Sequence, residues 1–219
     1  MLRCSRSVSR ADGNPHKFPG YWPCVRAGEP RGMETDRLIF TETPLPGSYV
    51  IDAEKINDHR GYFARVWCER ELGQLGLKTN LAQSNVGFSH RKGTLRGLHF
   101  QKAPHAEVKI VRCTRGAIFD VIVDLRPESQ TYRRWFGAEL NQDNGRMIYV
   151  PEEFAQGYLT LADNTEMNYH TSDFFSPETA SGVRFDDPAL GIQWPFAATV
   201  ISDQDRKWPL LEQRQESRI

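Results

Sequence analysis

The chain has 219 residues, with 28 basic and 28 acidic side chains giving a formal net charge of zero, and 39% of its residues are hydrophobic. One sizeable core fits that length, and the balanced charge offers no general field to draw the protein to nucleic acid or an anionic bilayer. No stretch approaches the roughly 18 consecutive apolar residues of a membrane-spanning helix. Cys4, Cys24, Cys68 and Cys113 show no C-x-x-C spacing. They form no disulfide scaffold, and a reducing cytoplasm is the expected setting.

Residues 1–32 carry six Lys/Arg against two Asp/Glu, four Pro and four Gly, and no sustained apolar period. They read as a disordered extension, or as the result of an upstream start site, with Met33 opening a single domain over 33–219. The Arg/Ser-rich opening resembles a transit peptide but lacks an amphipathic apolar face. From Met33 onward, short runs rich in Val, Ile, Phe, Tyr and Thr are broken by Gly, Pro, Asn and Asp every few residues. That texture predicts an all-β domain. Cys68 to Leu77 is the clearest helix candidate, with Gly76 near its end. Gly116 divides two predicted strands, Val108 to Thr114 and Ala117 to Leu125. In the second, Ala117, Phe119, Val121, Val123 and Leu125 share one face by period two, and Asp120 and Asp124 share the other. Arg146 to Val150 stops at Pro151, and a further helical turn is expected after Ser202. Regularly spaced short strands argue for a sandwich or barrel of the jelly-roll kind.

The densest polar cluster is G-T-L-R-G-L-H-F-Q at 93–101, followed by Lys109. Buried charges need partners, so such a cluster suits an anion and a proton-transfer group, although a solvated strand edge with a core histidine is the plainer reading. Arg96 and His99 have opposite strand parity. Both can face one cavity only if the chain bulges, and Gly97 is the natural place. A metal is not expected. The H-x-H and following Glu of a metal-binding cupin strand reads His99-Phe100-Gln101, and Gln156 occupies the later histidine position, so His105 and Glu107 leave the ligand set incomplete. Side chains then carry the acid–base work. A histidine is largely neutral yet readily protonated near pH 7, Tyr169 is a candidate proton donor or a plain wall residue, and Asp203 or Asp205 could orient an imidazole or merely cap a helix.

Nine ordered motifs resemble the dTDP-4-dehydrorhamnose 3,5-epimerase family over about Pro46 to Leu211. They are D-H-R-G-Y-F at 58–63, Q-S-N at 83–85, L-R-G-L-H-F-Q at 95–101, V-K-I-V at 108–111, G-A-I-F-D-V-I-V-D-L-R at 116–126, Tyr149-Val-Pro with F-A-Q-G-Y at 154–158, D-P at 187–188, W-P at 194–195 and S-D-Q-D at 202–205. The resemblance implies a cupin-type double-stranded β-helix, a jelly roll with a few short peripheral helices, without metal or cofactor. It also implies a homodimer that exchanges N-terminal strands, and a nucleotide-diphosphate 4-keto-6-deoxyhexose as substrate, inverted at carbon 3, carbon 5 or both. By position, His99 matches the general base, Asp205 its carboxylate partner, Tyr169 the acid and Lys109 the cation at the enolate oxygen. Arg60, Gln83, Asn85 and Arg96 match residues that hold the diphosphate and sugar, Phe63 matches an aromatic that packs on the nucleobase, and Gln156 lies in the substrate region.

Three positions depart from the pattern. Arg65 stands where D-x-R-G-x-F-x-E ends in an acid, Gln156 replaces the histidine of A-H-G-F, and Phe175 replaces a tyrosine. These changes leave open the base, the number of centres inverted, and two rival functions: a 3,4-ketoisomerase or a noncatalytic sugar-nucleotide binder.

Overall fold

The structure, a computed structural model, describes residues 37–211. The expected N-terminal extension, 1–32, lies outside them. Fourteen strands and two short helices follow in chain order: β1 (Leu38–Glu42), β2 (Tyr49–Ala53), β3 (Ile56–Asp58), β4 (Gly61–Phe63), α1 (Glu69–Gln74), β5 (Gln83–Ser89), β6 (Thr94–Gln101), β7 (Lys109–Arg115), β8 (Ala117–Asp124), β9 (Trp135–Asn141), β10 (Met147–Val150), β11 (Phe154–Thr160), β12 (Thr165–Thr171), β13 (Ala180–Gly182), β14 (Val200–Ile201) and α2 (Asp203–Lys207). One sheet runs β1-β2-β10-β7-β12-β5 and the other β13-β6-β11-β8-β9, with β14 parallel to β6 and a separate β3–β4 hairpin. This is the expected all-β jelly roll of the cupin type. None of the described helices is long and apolar enough to cross a membrane.

Period-two alternation decides which side chains enter the space between the sheets. On β7 and β12, Val111, Cys113 and Met167 project into a core with Ile118, Ile122, Leu140, Ile148, Phe154 and Tyr158. The outer face of the first sheet buries Leu38, Ile51, Ile110 and Met147 together with Leu72 of α1. The outer face of the second buries Leu98, Val121, Val123 and Ala155 beneath Leu190 and Leu211. Strand β8 is therefore covered on both sides. The face bearing Asp120 and Asp124 also carries Ile118 and Ile122, and both aspartates are fully buried.

Helix α1 is shorter than the expected Cys68 to Leu77. Its chain turns away after Gln74, where the amides of Leu75 and Leu77 both donate to the Leu72 carbonyl and Gly76 adopts a left-handed φ of 69°. The predicted turn after Ser202 is present as α2, capped by the Ser202 hydroxyl accepting from the Asp205 amide at 3.0 Å.

Asp124 closes the far end of β8. Its carboxylate accepts from the Arg126 amide, Nε and Nη2 and from the hydroxyls of Ser129 and Thr131, at 2.6–3.0 Å. Burial works against its charge, but the Arg126, Ser129 and Thr131 donors outweigh it and bring the carboxyl down to about 2. Asp124→Ala leaves the Ser129 and Thr131 hydroxyls and the Arg126 amide without their acceptor and should cost about 1–3 kcal/mol in urea unfolding. Because the folded carboxyl lies below its unfolded value, this contribution is complete above about pH 4 and fades toward pH 2. A variant that loses no stability at pH 7 would contradict the assignment.

Candidate active site

A cavity of about 780 Å³ opens between the sheets, and among its lining residues are His99, Lys109, Tyr169, Asp205, Gln83, Asn85, Arg96 and Gln156. Strand parity delivers most of them. Gln83 and Asn85 alternate on β5, Lys109 shares a face with Val111 on β7, and Tyr169 lies between Met167 and Thr171 on β12.

The parity conflict between Arg96 and His99 is resolved at Gly97. Across β6 and β11, Gln156 faces His99 while Tyr158 faces Arg96, so three steps of β6 oppose two of β11. Gly97 has φ 129°, and a Cβ there would lie 2.5 Å from the Gly157 Cα. Only glycine fits this close crossing.

Asp205 approaches from α2 and accepts from His99 Nε2 at 2.6 Å, the Gly97 amide at 3.3 Å and Trp208 Nε1 at 3.4 Å. Burial disfavours its charge, but the bonds from His99, Gly97 and Ser202 win and hold the carboxyl below the usual carboxylate range. An ionised Asp205 can only accept, so Nε2 carries a hydrogen and Nδ1 of the half-exposed ring is the nitrogen left to face the cavity chemistry. The Trp208 ring packs edge-on to the imidazole at 6.3 Å. Asp205→Asn can present an amide donor to Nε2 and favour the wrong tautomer. The expected loss in kcat is about 10²-fold or more, with KM little changed; a kcat within a few-fold of the parent would contradict this role.

The opposite pole is cationic. Lys109 is buried, donating from Nζ to the His99 carbonyl at 3.3 Å and pairing with Glu107 Oε1 at 3.3 Å. Burial raises the Glu107 carboxyl despite Lys109. Burial first, and then the Glu107 charge, raises the Tyr169 phenol, so it holds its proton at neutral pH. Arg96 is fixed through its guanidinium to the Phe88 carbonyl at 3.1 Å and the Ser89 hydroxyl at 3.4 Å. Among the described residues no group of three His, Cys, Asp or Glu could hold a metal ion.

Arg60 and Phe63 lie outside this cavity. Both belong to the β3–β4 hairpin region, where Arg60 pairs with Asp58 at 2.5 Å and Phe63 is 58% exposed. Arg65 is tied to Glu71 at 2.9 Å, and Glu71, which also accepts from the Leu38 amide, links α1 to β1. Phe175 stands at the cavity mouth, its amide donating to Gln83 Oε1 at 2.9 Å. Sequence reasoning missed Trp208 and gave Asp120 no part in the site, and it counted Gln101 in the polar cluster without foreseeing its role. Trp208 is three residues beyond Asp205, a spacing that one helical turn brings together. Gln101 stitches the wall by donating to the His105 and Phe174 carbonyls and accepting from the Ser176 amide.

A jelly roll that gathers an imidazole bonded to a carboxylate, a phenol and a buried lysine on one cavity has the architecture of a cupin-fold enzyme. The profile of the dTDP-4-dehydrorhamnose 3,5-epimerases matches residues 42–213, and the chain belongs to that family of isomerases. It is 42% identical to the dTDP-4-dehydrorhamnose 3,5-epimerase of Sinorhizobium fredii over 82% of this chain and 93% of that one. It is 35% identical to the dTDP-4-dehydrorhamnose 3-epimerase of Streptomyces niveus over 79% and 84%. The crystal structure of the Bacillus anthracis 3,5-epimerase with TDP and PPi bound superposes with a TM-score of 0.77 at 39% identity, covering 80% of this chain and 100% of that one.

Proposed function

We propose that the protein epimerises a dTDP-linked 4-keto-6-deoxyhexose at carbon 3, carbon 5 or both, without a cofactor, through an enolate. The observation that carries this reading is the convergence of His99, Asp205, Lys109 and Tyr169 on one cavity. A hydrogen next to a ketone is acidic because its conjugate base places charge on oxygen, so catalysis needs a base for the proton and a cation for the oxygen. His99 Nδ1 takes the proton, Asp205 stabilises the resulting imidazolium, and Lys109 faces the developing oxyanion. Tyr169 returns a proton to carbon from the opposite face, which inverts the centre; the tyrosinate then regains its proton and the imidazolium loses one to solvent. Gln83, Asn85 and Arg96 supply amide and guanidinium donors for the diphosphate and sugar. The TDP held by the Bacillus relative supports thymine as the base.

Arg60 and Phe63 enter this scheme in a homodimer, where the β3–β4 hairpin of one copy reaches the cavity of the other. The exposure of Phe63 and its absence from the lining of its own chain's cavity support that arrangement.

The test is incubation with dTDP-4-keto-6-deoxyglucose in heavy water, followed by NMR. Deuterium at carbon 3 or carbon 5 with inverted configuration is expected, and the labelled position reports which centres are used. A displaced carbonyl would identify a ketoisomerase instead, and nucleotide binding without exchange a noncatalytic binder.

A further inference from the structure

Beneath the cavity wall, Asp120 is fully buried on β8, with Oδ1 accepting from Gln156 Nε2 at 2.6 Å and Oδ2 without any partner. Gln156 lines the cavity directly across from His99, and with Nε2 committed to Asp120 its Oε1 is the amide atom left to bond elsewhere. Its polar neighbours on the facing strands include the donors Lys109, Arg96 and the Tyr169 phenol. The two carboxylates of the wall are already engaged, Glu107 by Lys109 and Gln101, and Asp205 by His99, Gly97 and Trp208. A sugar hydroxyl entering this space needs an acceptor for its hydrogen.

We propose that Asp120 is a positioning residue, a neutral carboxylic acid that locks the Gln156 amide so that Oε1 serves as a fixed, non-titrating acceptor for a hydroxyl of the bound hexose. The inference rests on the epimerase reading and adds to it a determinant of sugar recognition. An ionised carboxylate with one oxygen unpaired in the core would be far more costly than a neutral acid. Burial raises the Asp120 carboxyl to about 8, against the lowering influence of the Gln156 bond and of the Lys109 charge on β7. Tyr158, opposite Asp120 on β11, is the other titratable group facing it, and its phenol is likewise raised by burial.

One variant at Gln156, two at Asp120 and one double variant test the idea. Gln156→Leu should raise KM about tenfold with kcat changed much less, as expected for one lost hydrogen bond to bound substrate. Asp120→Leu should match it, and the double variant should be no worse than either single change, because both remove the same acceptor. Asp120→Asn keeps shape and neutrality and should restore KM to within about threefold of the parent. A KM unmoved by Gln156→Leu, or Asp120→Asn as damaging as Asp120→Leu, would overturn the proposal; circular dichroism establishes that each variant is folded.

A second readout needs no turnover. Native protein holds a proton on Asp120 that the unfolded chain releases above about pH 4, so stability should decline as pH rises toward about 8 and then level off. Asp120→Asn should abolish that part of the slope, and identical melting profiles would overturn the neutral-acid assignment. Because this arm is independent of substrate, a parent protein that fails to exchange deuterium defeats the epimerase reading, while the melting profiles still decide the state of Asp120.

Discussion

Replacing His99 with Ala eliminates deuterium uptake into a 4-keto-6-deoxyhexose, lowering the exchange rate by about 10²–10⁴, the usual worth of a positioned general base. Affinity for thymidine diphosphate should stay within about threefold, because the proposed scheme assigns the imidazole to the sugar ring and Gln83, Asn85 and Arg96 to the polar end. The variant should fold. The ring is half exposed, and its loss leaves Asp205 with the Gly97 amide and Trp208 Nε1 as donors. Exchange measured by NMR beside nucleotide binding measured by calorimetry separates the two functions. Retained exchange in this variant would mean that another group removes the proton.

The second large effect belongs to Tyr169. Tyr169→Phe keeps the ring, which packs against the core containing Val111 and Met167, and removes only the hydroxyl. Inversion should slow by about 10²–10³, since no donor then stands on the far side of the enolate. Proton removal by His99 should persist, so exchange should fall by no more than about tenfold. Stability should scarcely change, and a large fall in melting temperature would instead make Tyr169 a packing residue.

Much of this arrangement was legible before the fold was known. Lys109 and Tyr169 sit at inward positions of alternating strands, and the opposite parity of Arg96 and His99 required the bulge found at Gly97. Alternation gave less on β8. It separated the Phe119–Val121–Val123 face from the Asp120–Asp124 face, yet period two alone cannot tell which face meets the other sheet. The segment bearing Leu190, Trp194 and Leu211 covers the outer side, so both faces are buried and the aspartates point inward. The Asp120–Gln156 pair joins residues 36 apart, and no local spacing signals it. Arg60 and Phe63 were read from the resemblance; within the chain they stay on the β3–β4 hairpin and do not line the cavity.

The departures from the family pattern also acquire physical content. Arg65 is spent on Glu71 and α1, Phe175 frames the cavity mouth, and Gln156 exchanges an ionisable ring for an amide held by a buried acid. Of these, only Gln156 directly faces the proposed base across the strand pair.

The central claim is that hydrogen leaves one face of the sugar ring and returns to the other, by two different side chains. Following Tyr169→Phe with dTDP-4-keto-6-deoxyglucose in heavy water by NMR tests it most directly. The account predicts sugar that gains deuterium while keeping its original configuration; inverted product formed at the parent rate would contradict it.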